Sequence, residues 1–196
     1  ISMADYPAIF VAARLQRILA STAPGIDLIL QPWHGAEAAR AALIDGSTDI
    51  AVTVFPAEDD EIYRERLFDE EYVVAMRRGH PAAANFDLDC WLNYPHILVS
   101  GRGEARSSLD VELARQNRKR RIGMVVPSFG IVPDLLRGSD MIAMMPSRVT
   151  AVADDLLVRP VPIIVEGFTM HIAWHRRRAS DRGVRYVAEV LADVLR

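Results

Sequence analysis

Little in this chain points to a disulfide scaffold, a membrane or a nucleic acid. It carries one cysteine, Cys90, in 196 residues. No intrachain disulfide can form, and that usage fits a reducing, cytoplasmic setting. Cys90 stands beside Trp91 and Leu92 and reads as a small packed hydrophobe, because unpaired cysteines are usually buried and inert. No apolar run reaches the ~18 residues of a membrane span. A net charge of −3 with a pI near 6.0 gives the chain no phosphate-binding footprint of its own. A metal set is also missing. His34, His80 and His96 are scattered, and on a strand His171 and His175 would stand about 13 Å apart, too far to share one ion. The acidic run Glu58–Glu61 lacks the spaced ligands of a calcium loop and reads as a solvated connection. The chain starts on Ile1, already part of an apolar stretch, with no signal peptide before it. It is therefore expected to be a piece of a longer protein.

What is present is a soluble, core-forming composition, 51% hydrophobic and 25% charged, enough for one domain or two small lobes. Strand and helix signals alternate. Strands are expected at 1–3, 26–30, 49–55, 67–77, 96–100, 121–126, 141–144, 156–161 and 168–175. Helices are expected from Asp5, as cap, to about residue 23, then at 35–44, 87–92, 105–117, 129–137, 146–153 and from Asp181, as cap, to Leu195. On the first helix Ile9, Phe10, Ala13, Leu15, Ile18 and Leu19 mark the apolar side. Such alternation implies βαβ units and a mostly parallel sheet covered on both faces. Runs such as "DIAVTVF" and "MIAMM" are of the continuous kind that two-sided burial requires. In open α/β sheets ligands bind beyond the carboxyl ends of strands, where helix N-termini present free N–H groups suited to an anion. "ILVSGRGEAR" and "MVVPSFGIVP" are both strand–turn–helix units of this type.

Three motifs fall short of an enzyme or nucleotide reading. Val126-Pro127-Ser128-Phe129-Gly130 lacks the first glycine of a nucleophile elbow, and a proline precedes the serine. The following order, Ser128, Asp154 or Asp155, then His171 or His175, fits an α/β hydrolase, but both histidines fall within a strand. Ser128 is better read as a helix-capping hydroxyl. "GRGEAR" carries Arg106 where a dinucleotide fingerprint needs glycine, and roughly 20 residues on stands a basic run instead of an acid. That run, Arg118–Arg121, reads as a solvated turn after a helix C-terminus.

Several passages together resemble the effector-binding domain of LysR-type transcriptional regulators. "IDLILQP" followed by "AARAALIDGSTDIAVTVFP" is similar to that family's strand, helix and "L-x-x-G-x-x-D" passage. "RERLFDEEYVVAMRRGHP" resembles its crossover segment. "VVPSFGIVPDLLRGSDMIAMMPSRV" resembles its second-lobe segment, and "FTMHIAWHRR" resembles the return strand of its nodulation-regulator branch, whose members often sense phenolic or other aromatic compounds. The resemblance covers essentially the whole chain. It implies a type 2 periplasmic-binding-protein-like α/β fold, with two lobes joined by two crossover strands. Lobe I would be 1–71 with 167–196, and lobe II 72–166. The family's N-terminal winged helix-turn-helix is absent from this chain.

The resemblance further implies a small effector, aromatic or an organic acid, held between the lobes without any cofactor. The implied contacts are Met3, Ala4, Asp5, Tyr6, Val54, Phe55, Phe168 and His171 in lobe I, and Ser100, Gly101, Arg102, Ser128 and Phe129 in lobe II. Phe55 and Phe129 could sandwich a ring, with Arg102 or Arg106 as charge partner. Many relatives carry Ser or Thr where Ala4 stands, so this pocket is expected to treat a polar ligand group differently. A homodimer is implied, with the helices at 7–20 and 105–117 as faces, assembling to a tetramer at full length and reaching DNA only through the missing domain. The competing readings are a transport-type solute-binding protein of the same fold, which needs export, and a hydrolase using Ser128.

Overall fold

In the computed structural model, which describes residues 1–55, 59–150 and 153–196, the chain forms two compact units. Unit 1 comprises Ile1–Glu70 and Phe168–Arg196, and unit 2 comprises Glu71–Gly167. Each is built on a five-stranded sheet.

Unit 1 contains β1 (Ser2–Met3), α1 (Asp5–Thr22), β2 (Gln31–Pro32), α2 (Ala36–Asp45), β3 (Ala51–Thr53), β4 (Ile62–Glu70), β10 (Phe168–His175) and α7 (Arg182–Leu195). Its strands lie in the order β2-β1-β3-β10-β4. The first three are mutually parallel, and β10 runs antiparallel to both β3 and β4. Unit 2 contains β5 (Tyr72–Arg77), α3 (Leu88–Leu92), β6 (Pro95–Val99), α4 (Ser108–Arg115), β7 (Arg121–Val126), α5 (Val132–Arg137), β8 (Ile142–Pro146), α6 (Ser147–Thr150) and β9 (Leu156–Pro160). Its order is β7-β6-β8-β5-β9, with β6 parallel to β7 and β8, and β5 antiparallel to β8 and β9. The same plan thus occurs twice: three adjacent parallel strands, one antiparallel strand, and a fifth that runs in the direction of the first three. A mostly parallel arrangement is what the sequence leads one to expect, and four of the five strands in each sheet share one direction. Each sheet is mixed because one strand, β10 in unit 1 and β5 in unit 2, runs against the others.

Other departures from the expected elements have local causes. Residues 26–30 form no strand, and only Gln31–Pro32 pair with β1. The segment is apolar but lies at a sheet edge, with Ile29 73% exposed. The run 67–77 is two strands, because Glu70 pairs with β10 while Tyr72 pairs with β8 in the other sheet. Ala4, not Asp5, is the N-cap of α1 and supplies no side-chain acceptor; Asp5 lies in the first turn. The buried stripe of α1 is Tyr6, Pro7, Val11, Leu15 and Leu19, and Ile9 is left outside it. Pro146 ends β8, and among the described residues the helix after it covers Ser147–Thr150; residues 151 and 152 of the expected helix lie outside them.

Caps and close approaches fix the element ends. Gly46 closes α2 at φ 83°, with its N–H on the Ala42 carbonyl, and a Cβ there would meet the Arg177 guanidinium at 2.9 Å. That guanidinium already binds the Leu43 carbonyl at 2.9 Å and the Ile44 carbonyl, closing the C-terminus of α2. Gly123 is the extra residue where the β6–β7 register slips, and a Cβ there would lie 2.8 Å from Pro95, as expected of glycine at a bulge. The Asp181 carboxylate accepts from the Gly183 and Val184 N–H groups at 3.0 and 3.1 Å, capping α7 as expected.

The core of unit 2 gathers Val74, Met76, Trp91, Leu109, Leu113 and Ile142, with Cys90 packed at its margin. Two histidines are buried within the unit. The His80 Nδ1 accepts from the Ala82 N–H at 3.0 Å, so its proton sits on Nε2, 3.1 Å from the Asp140 carbonyl. This explains the histidine of "GHP": it caps the short turn at Pro81–Ala83. His96 is fully buried edge-on to Trp91, with Nε2 3.1 Å from the Trp91 carbonyl. Burial, followed by the nearby Arg120 charge, lowers its pKa to about 4. Arg120 itself is not part of a solvated turn. Its side chain is 1% exposed and forms a fork on Asp110, with both bonds at 2.9 Å, plus 3.0 Å to the Ser107 hydroxyl. Ser107 and Asp110 are the capping box of α4, so this one cation ties the start of α4 to the start of β7.

Two outcomes follow. Unfolded His96 binds a proton at higher pH than folded His96, so stability should fall as pH drops from 6.5 towards 4, by up to about 3 kcal/mol. His96→Leu should flatten that slope in urea titrations across this range; an unchanged slope counts against a neutral, buried His96. Arg120→Met should cost about 3 kcal/mol, since it leaves Asp110 without its buried partner, and urea midpoints compared with those of Arg121→Met check this.

Candidate functional site

In a parallel strand the carboxyl end is where the chain turns into its helix, so one sheet edge collects all such turns. In unit 1 that edge brings together Met3, Ala4, Asp5 and Tyr6 after β1, and Val54 and Phe55 after β3. Because β10 runs the other way, its first half reaches the same edge, with His171 opposite Thr53.

These residues differ in what they offer. Met3 and Tyr6 are buried, and Tyr6 makes an edge contact with Phe168 at 6.0 Å and packs on Phe10 at 6.1 Å. Phe168 and Val54 are half-buried. Phe55 is 7% exposed and packs with Ala39, Leu43, Ala51, Ile62 and Ala173 in the core. The structure therefore places this ring in the core and not on an open surface. The Phe55 carbonyl accepts from Arg64 Nη1 at 2.9 Å. His171 is half-buried; burial, with Arg64 beside it, lowers its pKa.

In unit 2 the corresponding edge joins the ends of β6 and β7. Val99 is in register with Val126, and the Ser100 N–H bonds the Val126 carbonyl at 2.8 Å. Ser100, Gly101 and Arg102 thus lie beside Ser128 and Phe129. Each serine hydroxyl holds its own turn: Ser100 Oγ accepts from the Glu104 N–H at 3.0 Å, and Ser128 Oγ from the Gly130 N–H at 3.1 Å. Ser128 is the N-cap of the short helix Phe129–Ile131, which is the capping role read from the sequence. Arg102 pairs with Glu104 at 3.0 Å, both side chains more than half exposed, an arrangement that contributes little to stability and leaves the guanidinium reachable. Asp155, an acid in the hydrolase order, is engaged by Arg137 at 2.6 and 2.8 Å. Among the described residues no cluster of His, Cys, Asp and Glu could hold a metal ion, and no helix is long and apolar enough to cross a membrane.

Two groups at these edges went unread in the sequence. Ser147 and Arg148 follow β8, which is parallel to β6, and so share its edge; the "strand-Pro-Ser-Arg" pattern was a third strand–turn–helix signal. Trp33 follows β2, 38% exposed, with its indole N–H on the Thr53 hydroxyl at 2.7 Å. A single tryptophan in a polar connection gave no periodic signal.

The whole chain, residues 1–196, matches the LysR substrate binding domain. It belongs to that family. The chain is thus an effector-binding domain of the LysR type, with a two-sheet fold of the type 2 periplasmic-binding-protein class. It is 25% identical over 198 residues to the HTH-type transcriptional activator NahR of Pseudomonas putida, covering 99% of this chain and 66% of that protein. It is 33% identical over 161 residues to the HTH-type transcriptional regulator LinR of Sphingobium indicum, covering 79% of this chain and 53% of that protein. The chain spans about half to two thirds of the length of these curated relatives. The regulatory domain of MexT from Pseudomonas aeruginosa superposes with a TM-score of 0.82 over 98% of this chain and 97% of that one, at 23% identity.

Proposed function

We propose that this LysR-type domain senses a small aromatic or organic acid in the cytoplasm and passes the signal to DNA-binding domains elsewhere in a longer protein. The observation that carries the reading is the double strand-edge arrangement inside a chain that matches the family end to end. The proposed contacts are Ala4, Asp5, Val54, Phe168 and His171 from unit 1, and Ser100, Gly101, Arg102, Ser128 and Phe129 from unit 2, with Met3, Tyr6 and Phe55 shaping the floor from below. Hydroxyls at turns, exposed N–H groups and an accessible guanidinium suit a carboxylate or phenolate. Half-buried rings suit an aromatic body. The effector acts by its differential affinity for two conformations of the chain and shifts their populations by that amount.

The active form we propose is a homodimer, a tetramer at full length, with DNA contacted only through a winged helix-turn-helix outside this chain. Exposed apolar residues support the pairing. Ile9 on α1 and Ile29 and Leu30 at the β2 edge are open in unit 1, and Val111 on α4 and Met124 on β7 in unit 2. The two helices are the faces expected from the sequence.

Thermal unfolding with a panel of aromatic acids, phenols and aliphatic acids tests the ligand reading. A binder at 100 times its Kd adds about 2.7 kcal/mol, which raises Tm by roughly 5–10 °C. Ser128→Ala should cut the apparent affinity about tenfold by removing one hydrogen bond to a charged group. A folded, dimeric protein that none of the panel stabilises contradicts the reading.

A further inference from the structure

We propose that Trp33 is a specificity-determining residue of the effector site: its indole lies across the end of β1 at Ala4 and selects aromatic over saturated carboxylates. The inference rests on the proposed ligand class and extends it to a residue that neither the motifs nor the comparisons single out.

The register places the residues. Ser2 is level with Gln31 on β2 and Ala51 on β3, and Met3 is level with Pro32 and Val52. Ala4 is still extended, at φ −62° and ψ 156°. One further step therefore sets Trp33, Ala4 and Thr53 side by side, and Thr53 faces His171 on β10. Residues level with one another point to the same sheet face, so these four form a row across β2, β1, β3 and β10. Neighbouring strands stand about 4.8 Å apart, so β2 and β3 are separated by roughly 10 Å. For Trp33 Nε1 to reach Thr53 Oγ1 at 2.7 Å, the indole has to pass over β1, and the side chain beneath it is the methyl of Ala4.

This arrangement gives Ala4 a physical reason. A larger side chain at that position would occupy the space the indole crosses. The hydroxyl that a Ser or Thr there would offer is replaced by a flat aromatic surface. The surface is pre-organised, because Thr53 is 2% exposed and anchors the indole N–H, yet 38% of Trp33 stays open. Holding a ring rigid and exposed lowers the ordering cost of stacking on it. His171, at the far end of the row and held towards its neutral form by burial and Arg64, supplies a polar neighbour for the ligand's substituents. Stacking on an indole favours a planar ring over a cyclohexane of similar area by about threefold to tenfold.

The test pairs each aromatic acid of the panel, benzoate and the three hydroxybenzoates, with its cyclohexane analogue. Binding to the 196-residue chain is followed by calorimetry and tryptophan emission. The expected result is a threefold to tenfold preference for the aromatic member, quenching that disappears in Trp33→Phe, and a preference retained in Trp33→Phe but lost in Trp33→Ala. Ala4→Leu should displace the indole and red-shift emission without any ligand. Aromatic acids that bind equally well to Trp33→Ala, or an unshifted Ala4→Leu spectrum, overturn this inference alone. Loss of the dimer in Trp33→Ala, read by sedimentation, overturns it in favour of an interface residue. If no acid of either series binds the wild-type chain, the proposed ligand class falls and this inference with it.

Discussion

Parallel strands cannot be joined by tight turns. Each must be followed by a crossover that returns the chain to the starting edge, so every strand-to-helix turn falls on the same side of the sheet. The rest of this molecule depends on that constraint. It brings residues 4, 33 and 54 to one edge of the first sheet, and residues 100, 128 and 147 to one edge of the second, although their sequence neighbours lie far apart. The antiparallel strands β10 and β5 add to each sheet without moving those edges. Arg177, on the last carbonyls of α2, fixes the opposite edge of unit 1, and Arg120, on Asp110 and Ser107, ties the start of α4 to the start of β7 in unit 2.

The serines show how local satisfaction and recognition can share one group. Ser100 accepts from the N–H four residues ahead and Ser128 from the N–H two ahead, and each thereby stabilises its turn at the edge where the ligand is proposed to sit. Ser128 sits at the start of a short helix as a cap, and Asp155, one of the two acids in the hydrolase order, is engaged by Arg137.

How much could be read in the sequence followed from how local the signal was. β7 and β10 have the bounds expected of them because each is a mainly apolar run that a polar turn closes. Asp181 and Ser128 were recognisable as caps because a cap acts within three residues. Residues 26–30 misled because apolar alternation signals a surface to be covered, and here that surface lies at an exposed edge. Arg120 looked like one member of a basic run; only the fold brings it to Asp110, and the Ser107–Asp110 box that signals the pair is a ten-residue step away. Phe55 could equally have faced a ligand or the core until Leu43, Ile62 and Ala173 were seen around it. Trp33 was invisible because its role comes from register across three strands.

The central proposal is that an effector binds at the carboxyl edges of the parallel strands. Hydrogen exchange of the 196-residue chain, with and without a stabilising acid from the panel, tests it most directly. The account predicts added protection at 3–6, 33–36, 53–55, 100–104 and 128–131, with little change at the opposite strand ends near 49, 95 and 121. Protection confined to those opposite ends would contradict it.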